Sequence, residues 1–145
     1  MRIVADTNVV VSGLLWGGPP NQILKWARDG MLFALTFSEA ASELKRVLRY
    51  GRLSGRITML GLQGEEVFAY FMNLAVFMPT PRIIPSLVTE DPFDNLFLAL
   101  ATENGAGLIV SGDRHLLELK RYDKIEIVTA SEACQVMEDL LKRKM

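Results

Sequence analysis

Short, unbroken apolar runs recur along this chain, and stretches with helical periodicity lie between them. Arg2-Ile3-Val4-Ala5 stops at Asp6, and Leu32 to Leu35 stops before Thr36. Gly107-Leu108-Ile109-Val110 ends at Ser111-Gly112-Asp113, and Ile125 to Val128, apolar except for Glu126, ends at Thr129. Successive strand side chains point to opposite faces, so a strand apolar at every position must be covered on both sides. Parallel sheets between helices meet that condition. The pattern predicts an α/β protein: a three-layer α/β/α sandwich with a mainly parallel central sheet. Val76-Phe77-Met78, just before Pro79 and Pro81, is a further strand candidate.

The helical stretches carry their own start and stop signals. Pro20 can open a helix, Gln22 to Asp29 carries Ile23, Leu24, Trp26 and Ala27, and Gly30 stops it. Thr36 and Glu39 read as a capping box, with Ser38 as a rival cap. Phe37, Ala40, Ala41, Leu44, Val47 and Leu48 then repeat with helical period. Glu65 to Leu74 is a third helix. Asp91-Pro92-Phe93-Asp94 reads as a capped helix start, and Asn104-Gly105 as its end. Thr129 and Glu132 cap a last helix ending in Lys142-Arg143-Lys144. No repeat, low-complexity tract or linker divides the 145 residues, so a single domain over 1–145 is expected. Half of the chain is hydrophobic, which is enough for a substantial core.

Composition removes several chemistries. One cysteine, Cys134, leaves no disulfide framework and no cysteine-rich zinc site. One histidine, His115, leaves no pair of imidazoles. Sixteen Lys and Arg against seventeen Asp and Glu give a net charge of −1, so any nucleic-acid footprint must be local. Val67 to Pro81 is uncharged, but it falls short of the ~20 apolar residues of a span and contains Asn73. Val9 to Trp16 lacks a basic leader and a small-residue cleavage pattern, and Asp6 precedes it. The expectation is a cytoplasmic protein with no membrane association.

In a parallel sheet the ligand crevice lies outside the carboxyl ends of the strands. Asp6 and Asp113 sit at such ends, and become neighbours if their strands are adjacent. Either one alone is equally an aspartate capping its own turn. Glu43 follows Ala40 by three residues and precedes Val47 by four, so it borders the apolar face of its helix. Asp94 falls at a helix N-terminus, where the dipole alone favours an acid. Asp91 is best explained as the cap itself. Four carboxylates from four elements repel one another unless a cation neutralises them. All-oxygen ligands favour Mg2+ or Mn2+ over zinc, and such a site suits phosphodiester hydrolysis without a histidine base.

Four stretches together resemble the PIN domain family: Asp6-Thr7-Asn8-Val9-Val10-Val11-Ser12-Gly13-Leu14-Leu15, Ser38 to Leu48 with Glu43, Asp91-Pro92-Phe93-Asp94-Asn95, and Ser111-Gly112-Asp113-Arg114-His115-Leu116-Leu117. The similarity runs from about residue 1 to residue 135 and is nearest to toxin components of prokaryotic toxin–antitoxin pairs. It implies a Mg2+- or Mn2+-dependent endoribonuclease. Asp6, Glu43, Asp94 and Asp113 match the family's four acidic positions, as catalytic and metal-holding residues. Spacing to Leu98 and Ala101 favours Asp94 over Asp91. Thr7, Asn8 and Ser111 would be the polar groups that fix those carboxylates.

Lys45, Arg46, Arg49, Arg52 and Arg56 form a basic run just after Glu43. With acids on the same helix, Lys45, Arg46, Arg49 and Arg52 are candidates for phosphate contacts with RNA. Trp16, Trp26 and the Phe- and Met-rich region from Leu62 to Met78 read as core or interface. RNA, an antitoxin protein and further copies of the chain, as a homodimer or higher oligomer, are the expected partners. The alternative is a PIN-like module that binds RNA or protein but no longer cuts. A haloacid-dehalogenase-like phosphatase is disfavoured, because Asn8 and Leu117 stand where it needs acids. Dinucleotide binding is disfavoured by the missing G-x-G-x-x-G after the first strand.

Overall fold

The computed structural model describes residues 1–88 and 91–144. The chain runs β1 (Arg2–Ala5), α1 (Thr7–Leu15), α2 (Pro19–Arg28), β2 (Phe33–Thr36), α3 (Ser38–Val47), α4 (Gly51–Met59), α5 (Gly64–Leu74) and β3 (Val76–Phe77). It continues through α6 (Asp94–Glu103), β4 (Leu108–Val110), α7 (Arg114–Leu117), β5 (Arg121–Tyr122), β6 (Ile125–Val128) and α8 (Ala130–Arg143). Among the described residues no helix is long and apolar enough to cross a membrane.

The strands form one sheet in the order β3-β2-β1-β4-β6-β5. Every neighbouring pair is parallel except β5 with β6. The alternation of faces is visible residue by residue. Ile3, Ala34, Leu108 and Val110 pack with Val9, Ile23, Trp26 and Met137 from α1, α2 and α8. Val4, Leu35 and Ile109 point the other way, into Phe97, Leu98 and Leu100 of α6. These two cores on opposite faces make the three layers expected from the apolar runs. A third core joins Val10 and Leu15 of α1 to Leu44, Leu53 and Phe71 of α3, α4 and α5. β2 lies on one side of β1 and β4 on the other. The chain thus changes direction across the sheet between β1 and β4, where such folds open a crevice at the strand ends.

The structure adds four elements, α1, α4, the short α7 and β5, and corrects two caps. α1 begins directly after Asp6, although Val9, Val10 and Val11 are β-branched and poor helix formers. All three are buried, so packing outweighs propensity. α4 was not expected; it buries only Leu53 and Ile57. β5 is an unforeseen antiparallel edge. The Thr36–Glu39 capping box does not form. Thr36 is the last residue of β2, Phe37 holds the cap position without a side-chain bond, and Glu39 instead accepts from Thr80 Oγ1 at 2.9 Å. Asp91 caps a turn rather than the helix itself: its Oδ1 accepts from the Phe93 amide at 3.1 Å, and regular helix starts at Asp94. Ser38, the rival cap, is instead the first residue of α3, and α2 opens at Pro19 with Pro20 second; the stop signals act as read. Gly30 ends α2 with φ 78°, and Gly105 ends α6 with φ 62°. The Ala106 amide reaches back to the Ala101 carbonyl at 2.9 Å, closing a Schellman motif. Thr129 and Glu132 form a reciprocal capping box on α8.

Candidate active site

A small cleft at the carboxyl ends of β1 and β4 is lined by Asp6, Thr7, Asn8, Glu43, Val47, Asp91, Asp94, Phe97 and Asp113. The four predicted acids come to it from four elements: the β1–α1 junction, α3, the first turn of α6, and the turn after β4.

Asp6 is buried and fully engaged. Its Oδ1 accepts from the Val9 amide at 2.9 Å, which caps α1, and its Oδ2 accepts from the Ser111 hydroxyl. Ser111 is itself buried, and its Oγ accepts from the Asp113 amide at 2.9 Å. One serine thereby links the ends of β1 and β4. Burial raises the Asp6 carboxyl above the usual range, against the pull of the Ser111 and Val9 bonds. The nearby Asp113 and Glu43 charges raise it further. Asp113 Oδ1 accepts from the His115 amide at 2.7 Å and caps α7. The Thr7 hydroxyl donates to Glu43 Oε2 at 2.7 Å. Glu43 therefore lies at the edge of the core, as its helical position predicts, with Arg46 Nη2 3.8 Å from its other oxygen. Asn8 is exposed at the rim.

Asp94 is the electrostatic outlier. It is 5% exposed, and its Oδ2 is buried without a hydrogen-bond partner among the described residues. A buried unpaired acceptor costs about 1–3 kcal/mol, more when charged. Its carboxyl is pushed up to about 7, first by burial and then by the charges of Asp91, Asp113, Asp6 and Glu43. Asp91 is thus a fifth acid of the cleft besides being a cap, a placement its turn context concealed.

The donor chemistry fits a hard divalent cation. Every charged group of the cleft is a carboxylate, and the orphaned Asp94 oxygen is an acceptor that a cation would satisfy. Among the described residues no group of three or more His, Cys, Asp or Glu is already drawn together as a ligand set. Mutual repulsion of uncompensated carboxylates acts in that direction.

The basic candidates disperse. Arg46 lines an open groove of about 450 Å³ with Ser38, Glu39, Ser42, Glu43 and Phe93, adjoining the acidic cleft through Glu43. Lys45 and Arg49 line a different pocket, between α3 and the start of α5. Arg52 is on α4, 5.7 Å from the Tyr50 ring. Arg56 donates to the Leu15 carbonyl at 2.7 Å and stands over Trp16, which is 44% exposed, whereas Trp26 is core. The five cations do not form one strip on the helix of Glu43, because α3 ends at Val47. Sequence reasoning also missed Asn95. Its side chain accepts from the Leu87 and Val88 amides and donates to the Val88 carbonyl at 2.9 Å. That bond set ties Leu87 and Val88 to the helix that carries Asp94.

A family model described as PIN domain matches residues 2–115. This span includes all four strand-end and helix acids. No curated protein matches the chain.

Proposed function

The chain belongs to the PIN domain family, nucleases that in general use divalent metals, and from that premise we propose that it is a Mg2+- or Mn2+-dependent endoribonuclease, the toxin of a toxin–antitoxin pair. The observation that carries the proposal is that Asp6, Glu43, Asp94 and Asp113 line one cleft, with a buried Asp94 oxygen that has no partner among the described residues. These four residues would hold the cation. When bound, the cation supplies a lowered pKa for an attacking water and charge stabilisation for the phosphate.

The chain's own groups prepare the site. Val9 and Ser111 fix both oxygens of Asp6, so little rotamer freedom remains to be lost on binding. Thr7 holds one oxygen of Glu43, and the His115 amide holds one of Asp113. Asp94, its carboxyl pushed up to about 7 by burial and then by neighbouring acids, gains or loses a proton readily at neutral pH. A phosphodiester is anionic, so a cleft of bare carboxylates repels it; cation and RNA are expected to bind in that order. The toxin reading brings with it an antitoxin protein and self-association as partners.

The test is single-stranded RNA incubated with pure protein. Internal cleavage with Mn2+ and none with excess EDTA is the expected result. Cleavage that survives EDTA overturns the metal-dependent reading. RNA binding without cleavage in Mn2+ favours the non-cutting module instead.

A further inference from the structure

We propose that the groove beside the acidic cleft is a nucleotide subsite, in which an unpaired base stacks on Phe93 and a flanking phosphate sits on Arg46. The proposal rests on the nuclease reading above and assigns how the substrate strand is gripped next to the reacting bond.

Phe93 ends an aromatic stack. Its ring lies 6.5 Å from that of Phe37, nearly parallel at 19°, and 5.5 Å from Phe97, edge to face at 65°. Phe37 is fully buried and Phe97 is buried, but Phe93 is only partly covered and forms a wall of the groove. A planar base laid against the part of the ring that lines the groove would extend this aromatic cluster. Every base has a π-face, so such a platform tolerates sequence but requires an unpaired base.

The rest of the lining is one face of α3: Ser38, Glu39, Ser42, Glu43 and Arg46, spaced three and four apart. Arg46 is 65% exposed, and its ion pair with Glu43 spans 3.8 Å, at the long end for such pairs. Its planar fork of donors is therefore largely uncommitted, and such a fork matches a phosphate. Ser38 and Ser42 are exposed hydroxyls along the same line. The volume of about 450 Å³ lies within the ~300–1,000 Å³ typical of small-molecule sites. Because Glu43 is shared with the acidic cleft, a nucleotide held here is next to the site of chemistry. Glu39 opposes the phosphate, although Thr80 holds one of its oxygens. It should weaken binding in the native protein, which supplies an internal control.

The experiment is fluorescence anisotropy of short labelled oligoadenylate and oligouridylate at low salt, with Ca2+ in place of Mn2+ because bare carboxylates repel an anionic strand, and with the oligonucleotides checked intact on a gel so that binding is read apart from cutting. The wild type should prefer oligoadenylate, because purines stack better. Phe93→Leu should remove that preference and weaken oligoadenylate binding by roughly 5- to 150-fold. Arg46→Gln should weaken both ligands alike and reduce the salt slope by about 1. Glu39→Gln should tighten both. Phe93→Trp should keep or increase the preference, and it carries the test if the leucine variant fails to fold by circular dichroism. No wild-type binding, an unchanged preference in Phe93→Leu, a preference lost in Phe93→Trp, or an unchanged salt slope in Arg46→Gln overturns the subsite. Wild-type cleavage in Mn2+ is assayed in parallel. Binding with this signature but no cutting overturns the nuclease reading alone. Cutting without this signature overturns the subsite alone.

Discussion

Asp94 and Asp91 stand three residues apart in one turn, yet they carry different burdens. Asp91 is exposed, and its Oδ1 takes the Phe93 amide, a bond that asparagine can also accept. Asp91→Asn should therefore leave both stability and cleavage close to wild type. Asp94 has no such alternative role, and its Oδ2 has no partner among the described residues. Asp94→Asn should lower cleavage by about 100-fold or more, the rate equivalent of several kcal/mol. Steady-state cleavage of the two variants in Mn2+ checks the pair, and the reverse pattern would mean that Asp91 is the ligand. The same carboxyl gives a pH signature. It titrates near 3.8 when unfolded and near 7 in the metal-free fold, raised first by burial. Between those values the folded chain holds the extra proton, so stability falls as pH rises through that window. Melting in EDTA should show Tm dropping from pH 5 to pH 7, with a shallower drop in Asp94→Asn. An equal slope in both proteins would remove Asp94 as the source.

At the level of elements, α1 and α2 approach so closely that glycine is required at Gly13. A Cβ there would lie 2.7 Å from the Pro20 carbonyl oxygen and 2.7 Å from Leu24 Cδ1. Asn21 also donates to the Gly13 carbonyl at 2.9 Å, which fixes the spacing. Alanine gains up to ~1 kcal/mol in helix propensity, but forced overpacking costs ~1–3 kcal/mol. Gly13→Ala should thus be net destabilising. Gly55, in the middle of α4, faces open space, so Gly55→Ala should stabilise by ~0.5–1 kcal/mol. Urea denaturation midpoints should move in opposite directions, and a shift of Gly13→Ala towards greater stability would contradict the close approach. These helices also mark the limit of what the sequence discloses. β1, β2 and β4 are legible because burial on both faces makes their centres continuously apolar, and β6 because Ile125, Ile127 and Val128 are buried although Glu126 is exposed. α1 is not, because Val9-Val10-Val11 has the composition of a strand and becomes helical only under tertiary packing. α4 is hidden by Gly51, Ser54 and Gly55, which leave it two buried anchors. β5 is two residues long, with Lys120 and Asp123 at positive φ beside it. Within the cleft, Asp6 and Asp113 are legible as strand ends and Glu43 through its helical period. The Ser111–Asp6 bond joins residues 105 apart, and no local pattern announces it. Asp94 looks like an ordinary helix-start acid, and only the fold removes its water.

For the molecule as a whole, the cleft is where β1, α3, α6 and the β4–α7 turn meet, so a cation held there would tie four separated parts of the chain together. Binding to the folded state alone adds RT ln(1 + [L]/Kd), about 2.7 kcal/mol at a hundredfold excess over Kd. For a protein of this size each kcal/mol moves Tm by a few degrees. Mn2+ should therefore raise the wild-type Tm by roughly 5–10 °C under those conditions. Asp6→Asn separates the site from the scaffold. Asparagine can still accept the Val9 amide and cap α1, and its amide can donate to the Ser111 oxygen, which is itself able to accept. What it loses is a buried charge that desolvation and two neighbouring acids already oppose. In EDTA the variant should melt at or above the wild-type temperature. In Mn2+ the order should invert, because the variant has lost a ligand while the wild type gains the full linkage term. If Asp6 were only a turn cap, Asp6→Asn would be neutral or destabilising, and Mn2+ would shift both proteins equally. Four thermal melts decide between these outcomes without any knowledge of the RNA. An equal Mn2+ shift would take Asp6 out of the metal site, leaving Asp94, Glu43 and Asp113 to be tested in the same way.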